Sequence, residues 1–239
     1  MRVFSGAVVP ADTYAGAVLP AGGNLLAGGA GRGLAKRRFA VELASYLTRL
    51  EKSGAAYTSV ISTSGVVTAD WVRLKCQFGC GAYGTRLTCP PYSPTPSLTN
   101  GILRPFDRAI FAAFKVSGSQ SEKGMRRKMR KSLVAVEREL FLDGYYSAFA
   151  MAFGPCNLCP SCDVTEDCKY PELARPSMEA CGIDVYATAR NAGFPLTVVR
   201  DYDEGCVMCG LILVGKRDSR GAKSARTRVG RREKRNAKR

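Results

Sequence analysis

The chain has 239 residues, 46% of them hydrophobic, with ten cysteines, no histidine and a formal net charge of +16. That is enough apolar material for one substantial core, yet no apolar run reaches the roughly 18–20 residues a membrane helix needs. Without histidine, mixed Cys/His zinc fingers, His-ligated haem, Rieske centres, Ser-His-Asp triads and Cys-His nucleophile pairs are all excluded.

The charge is not spread evenly. Residues 215–239 carry twelve Lys/Arg against Asp218 and Glu233, and residues 1–39 carry five against Asp12, which leaves only +2 for the body. A basic, disordered tail over 215–239 is therefore expected, with weak polyanion or nucleic-acid contact as its candidate role and a solvated terminus as the plainer one. No short basic region leads into a clean apolar run, so the expected compartment is the cytoplasm, where thiols stay reduced and serve metal or redox chemistry before disulfides.

In chain order, residues 1–35 read as a flexible Gly/Ala-rich lead with no periodic apolar face. Over Lys36–Lys52 the residues Phe39, Leu43, Tyr46, Leu47 and Leu50 recur at helical spacing, with Gly54 as the stop. β-prone pieces follow at 57–61 and 65–68. The stretch around Cys76, Cys80 and Cys89-Pro90-Pro91, rich in glycine and proline, predicts an irregular loop holding three thiols. Residues 108–116 (RAIFAAFKV) predict a strand, and 123–143 a helix with a stripe of Met125, Met129, Leu133, Val136 and Leu140, ended by Gly144. The cluster Arg126, Arg127, Lys128, Arg130 and Lys131 on that helix reads as its solvated face before an anion site. A strand at 145–153 runs into the next cysteines and would deliver them to a sheet edge. A helix from Ser177 to about Asn191 and strands at 196–200 and 207–214 complete a body over 36–214. Its fold class is α+β: a single domain with a mixed β-sheet, packed helices and cysteine-rich metal-binding loops.

The spacing Cys156-x2-Cys159-x2-Cys162-x5-Cys168 is too dense for core packing alone. A zinc ribbon pairs two C-x2-C knuckles across a long spacer, whereas three cysteines at successive i+3 positions resemble the ferredoxin run C-x2-C-x2-C-x3-C-P that wraps a [4Fe–4S] cluster. The departure lies in the fourth spacing and in a proline delayed to position 171. Iron–sulfur is the first reading and zinc the alternative. The earlier set, Cys76, Cys80 and Cys89, lacks a fourth ligand, which Cys168 or Cys181 can supply across the fold. A structural zinc clip, and an open iron used as a Lewis acid for sulfur or small-molecule chemistry, are the other readings. Cys206 and Cys209 as C-x2-C-G resemble half a zinc or rubredoxin-like knuckle, but three apart on a predicted strand they point to opposite faces, which puts buried thiols before that reading. Glu179 reads as a first-turn helix acid before a proton-transfer group.

These blocks, with Gly154-Pro155 before the second cysteine run and Arg175-Pro176-Ser177-Met178-Glu179-Ala180-Cys181-Gly182-Ile183-Asp184-Val185 after it, resemble the uncharacterised predicted metal-binding protein family DUF2284 over roughly residues 70–214. The resemblance implies cysteine-bound metal, iron–sulfur before zinc, through Cys76, Cys80, Cys89, Cys156, Cys159, Cys162, Cys168 and Cys181. The Cys206/Cys209 pair and the tail depart from it. Eight shared cysteines divide into two sites of four: Cys156, Cys159 and Cys162 with Cys168 or Cys181, and Cys76, Cys80 and Cys89 with the remaining one. Electron transfer or redox support of a partner enzyme is the expected function, and a structural zinc-binding interaction module is the alternative.

Overall fold

The structure is a computed structural model that describes residues 7–8, 42–116, 122–200 and 205–218. Strands β1 (Ala7–Val8), β2 (Tyr57–Ser62), β3 (Arg108–Val116), β4 (Phe149–Met151), β5 (Thr197–Val198) and β6 (Cys206–Val214) form one six-stranded sheet. Along it the order is β2-β3-β6-β1-β5, with β4 also paired to β6. β3 and β6 pair over their whole length, from Arg108 opposite Val214 to Val116 opposite Cys206. Both are buried on both faces, which explains why their sequences are continuous apolar runs without alternation.

The α+β class is as expected. Every strand pair among the described residues is antiparallel, however, so the sheet is not mixed; parallel pairing is confined to the isolated bridge Ala152–Ser177.

On one face lie two amphipathic helices, α1 (42–52) and α4 (Glu122–Leu142). Leu43, Tyr46 and Leu50 from α1 meet Met129, Leu133, Val136 and Leu140 from α4 over Ile110, Ala112, Phe114, Ile212 and Val214 of the sheet. The predicted stripes thus face the core, and the part of the first helix before residue 42 lies outside the described residues. α4 comes near Gly210 of β6, where an added Cβ would stand 2.6 Å from a Leu133 methyl. No described helix is long and apolar enough to cross a membrane.

The opposite face is built differently. α3 (Pro96–Leu103), a 3-10 turn at Glu179–Cys181 and α5 (Val185–Asn191) cover Ala109, Phe111, Ala113, Val207, Cys209, Leu211 and Leu213, and α2 (Trp71–Gly79) packs on the 3-10 turn. The expected irregular loop around the first three cysteines is thereby corrected at its start. No Gly or Pro falls between Trp71 and Phe78, so the chain stays helical as far as Gly79 and carries Cys76 on the helix. α3 was not read from the sequence. It starts at Thr95, whose side chain accepts from the Leu98 N–H, with Pro96 in the first turn.

The helix expected over 177–191 is broken in two. Gly182 takes φ +73°, and a side chain there would meet Pro96 at 2.4 Å, so the chain turns and restarts with Asp184 capping α5. The strand expected at 145–153 shrinks to β4 because residues 145–147 form turns at the end of α4. Of the expected flexible lead, Ala7–Val8 form β1, and its remainder lies outside the described residues. The tail does too beyond residue 218; its first residues are tied to the end of α4 by Arg217 Nε to Asp143 O and Asp218 N to Gly144 O, each 2.9 Å.

Candidate metal centre

At 100° per residue, Val72, Cys76 and Gly79 share one side of α2, and Trp71, Leu74 and Phe78 share the other. Val72 is buried, while Trp71, Leu74 and Phe78 are exposed to 47%, 57% and 77%. The inner side brings the Cys76 Sγ to 3.9 Å from the Glu179 carbonyl. Cys80 caps the helix in extended conformation, and turns then fold the chain back on itself. Gly84 N donates to Pro90 O at 2.8 Å, while Cys89 N donates to Arg86 O at 2.9 Å, so Cys89 returns towards Cys80 and is buried. The Pro90–Pro91 peptide is cis.

Polar side chains stitch this segment to the turn at 179–181. Arg73 Nη2 donates to the carbonyls of Ser93 (3.0 Å) and Pro94 (2.8 Å). Ser93 Oγ donates to Ala180 O and Thr99 Oγ1 to Cys181 O, both at 2.6 Å. Ala69 N to Gly182 O (2.9 Å) and Asp184 N to Val67 O (2.8 Å) tie the turn to the approach to α2 as well.

The second cysteine run leaves the sheet through β4, next to the chain around Ser177: Ala152 N donates to Pro176 O and Met178 N to Ala152 O. Beyond Gly154 there is no regular structure up to the turn at 179–181, and Cys156, Cys159, Cys162 and Cys168 are all half-buried. What fixes the start of this run is one flank of α4. Glu137 accepts from the Ala150 N–H at 2.9 Å and forms a two-point ion pair with Arg175 at 2.6 and 2.8 Å. Seven residues earlier on the helix, Arg130 donates to the carbonyls of Phe153 (3.1 Å), Pro155 (3.1 Å) and Arg175 (3.0 Å). Arg127 donates to those of Asn157 (3.1 Å) and Leu158 (2.9 Å). Helix and loop run in opposite directions, so successive turns of α4 hold successive residues of the loop.

The expectation of a solvated basic face thus fails at Arg130, which is only 1% exposed; Lys128 and Lys131 are exposed as expected. The signal in the sequence was Val134, an apolar residue at i+4 from Arg130 that marks this flank as covered. Arg86, from the first cysteine segment, reaches the Cys159 carbonyl at 3.4 Å and so joins the two runs.

Electrostatics groups the thiols further. Burial pushes Cys89 up to about 11, and Cys80, Cys76 and Cys156 add to it while a bond with Thr88 opposes. Burial, then Cys80 and Glu179, push Cys76 to about 11, against Arg73. Cys89 thus feels Cys80 and Cys76 of its own run and, most weakly, Cys156 of the other. Cys181, 1% exposed, packs among Met178, Ile183 and the inner face of the sheet, and burial raises it to about 12. Cys209 lies in the same core, raised by burial, whereas Cys206 packs against the helical face. Among the described residues no three Cys, Asp or Glu side chains stand close enough together to hold an ion.

The donor chemistry nevertheless fits a sulfur-ligated metal. The Glu179 carboxyl is enclosed, its Oε2 has no hydrogen-bond partner, and burial raises its pKa despite Ser177 and Arg130. Burial pulls Arg130 below its ordinary value, while Cys156 and Cys89 are the first neighbours to pull it back. Half-buried thiols on two segments joined through Arg86, with a buried cation beside the second, define a cysteine-rich metal-binding protein on an α+β scaffold. The chain belongs to the family described as predicted metal-binding protein (DUF2284), whose model matches residues 59–214. No curated protein and no solved structure matches it.

Proposed function

We propose that this chain is an iron–sulfur protein, holding two [4Fe–4S] clusters, that carries electrons to or from a partner enzyme. The observation that carries the reading is an all-sulfur donor set, without histidine, in which Cys156, Cys159 and Cys162 follow one another at i+3. In this reading Cys156, Cys159 and Cys162 hold one cluster with Cys168 or Cys181, and Cys76, Cys80 and Cys89 hold the other with the remaining one; the bond from Arg86 to the Cys159 carbonyl, which joins the two runs, supports neighbouring centres. Bound there, each cluster would supply one-electron transfer. The protein's part is to hold the thiols and to limit water: burial of Cys89 and the cover of α2 do this on one side, and the grip of α4 on the loop does it on the other. The exposed Trp71, Leu74 and Phe78, on the helix that presents Cys76 inward, support contact with a partner directly over the thiols.

Purification without oxygen, followed by iron, sulfide and zinc analysis, tests the reading. Iron with matching acid-labile sulfide is expected; zinc without sulfide would overturn it in favour of a structural zinc module. Cys159→Ser should remove roughly half the iron, as loss of one of two cubanes requires, and loss of a single iron per chain would contradict the assignment.

A further inference from the structure

Arg130 is the bulkiest fully buried side chain among the described residues. A guanidinium stays charged at any physiological pH, and a buried charge is tolerated only where something compensates it. Its two terminal nitrogens are satisfied by the carbonyls of Phe153, Pro155 and Arg175, and its carbon lies 5.9 Å from the Phe153 ring centre. These are dipoles, not counter-charges, and Nε has no hydrogen-bond partner at all. Glu137, on the same flank of the helix, is committed to Arg175. Cys156 and then Cys89, one from each cysteine run, act most strongly on Arg130, ahead of the Glu179 carboxyl, which burial disfavours in its charged form. A free thiol is neutral, but a metal-bound thiolate is not, and four thiolates around zinc or around an iron–sulfur core leave a net negative charge.

We infer that Arg130 is a positioning residue of the metal centre: its fork fixes the carbonyls on either side of Gly154, just ahead of Cys156, and its cation offsets the negative charge of the loaded site. The inference rests on the metal-binding reading and adds to it a named counter-charge, reached through the one helix whose other face builds the core. For an iron–sulfur centre the consequence is a raised potential, because a cation nearby favours the reduced, more negative state. For any thiolate-held metal the consequence is tighter retention, since supporting residues of this kind typically hold about 10- to 100-fold in affinity.

The test uses the full chain, purified without oxygen, as wild type, Arg130→Gln, Arg130→Met and Arg130→Lys. Lysine keeps the charge but not the planar fork, and the other two remove the charge. In variants whose iron and sulfide match the wild type, the midpoint potential should fall for Arg130→Gln and Arg130→Met and stay near the wild-type value for Arg130→Lys. An unchanged potential in the neutral variants overturns the inference, as does an equal fall in all three. If neither neutral variant folds, Arg130→Lys decides: a retained potential supports the counter-charge role, and a lowered one refutes it. Should the wild type hold zinc without sulfide, the iron–sulfur reading fails on its own. Zinc transfer to a chromophoric chelator then replaces the potential as readout, with loss about 10- to 100-fold easier from the neutral variants and not from Arg130→Lys. Equal zinc loss from all proteins would overturn the inference, and a wild type that binds neither metal would overturn both readings.

Discussion

Both faces of the sheet bury an apolar core, but long helices cover one and short hydrogen-bonded elements cover the other. On the helical face, Leu43, Leu50, Leu133 and Leu140 are fully buried and pack from two helices onto β3 and β6. On the cysteine face, short elements are pinned by single donors to single carbonyls, as with Ser93 to Ala180, Thr99 to Cys181 and Tyr57 to Ala192 (2.7 Å). Apolar packing is non-directional and tolerates thermal motion, whereas a buried hydrogen bond loses most of its worth once its geometry slips. The first face can therefore serve as the frame, and the second as a surface set by specific contacts and completed by its metal.

The largest effect is expected where the frame is cut. Leu133→Ala should cost about 3 kcal/mol in urea unfolding through the cavity it leaves between α4 and the sheet, and because Leu133 lies one helical turn from Arg130 the metal-loaded protein should lose at least as much as the metal-free one. A loss confined to the loaded protein would break the division between the faces. Thr99→Val keeps the shape of a side chain with no exposed surface but removes the donor to the Cys181 carbonyl. It should cost about 1–3 kcal/mol, and hydrogen exchange should report the loosening around 179–184 while α4 stays protected.

The smallest effect is electrostatic. Arg108 bonds to Glu42 at 2.8 Å and, against the opposing cost of burial and with help from the Tyr145 hydroxyl, holds its carboxyl below the ordinary value. A carboxyl with a lowered pKa in the folded state contributes stability above its unfolded value, near 4.5, and loses it as pH falls through the lowered one. The pair is partly solvated, so Glu42→Gln should remove no more than about 1 kcal/mol at pH 7 and flatten the acid limb of a stability-against-pH curve. The metal content should not change.

The same division decides what could be read in advance. The helical face was legible because burial there follows a 3.6-residue period: the stripe on α4 and the run Leu43, Tyr46, Leu50 name their own partners. β3 and β6 were legible as long apolar runs. On the cysteine face, periodicity has little to report, since α2 buries Val72 and turns three large apolar residues outward, opposite to the usual sense. α3 announced itself only through Thr95-Pro96, a capping signal obscured by the prolines around it. The cysteines themselves stood out by spacing, but which run lends thiols to which neighbourhood depends on how the chain crosses the sheet, and local spacing carries no such information. Arg130 was missed because a charge on a basic helix segment is normally solvated; its burial follows from the loop that lies over it, whose Phe153 and Pro155 are 23 and 25 residues later in the chain.

Gly210 gives that loop contact its tolerance. Where β6 passes under α4, the missing side chain lets the Leu133 methyls sit almost on the backbone, next to the Met151 carbonyl. Leu133 is one helical turn from Arg130, so the depth to which the helix sinks at Gly210 also sets how far the guanidinium can extend towards the chain leading to Cys156. A single methyl at position 210 would meet a Leu133 methyl at 2.6 Å and so displace a side chain one helical turn from the threshold of the metal centre.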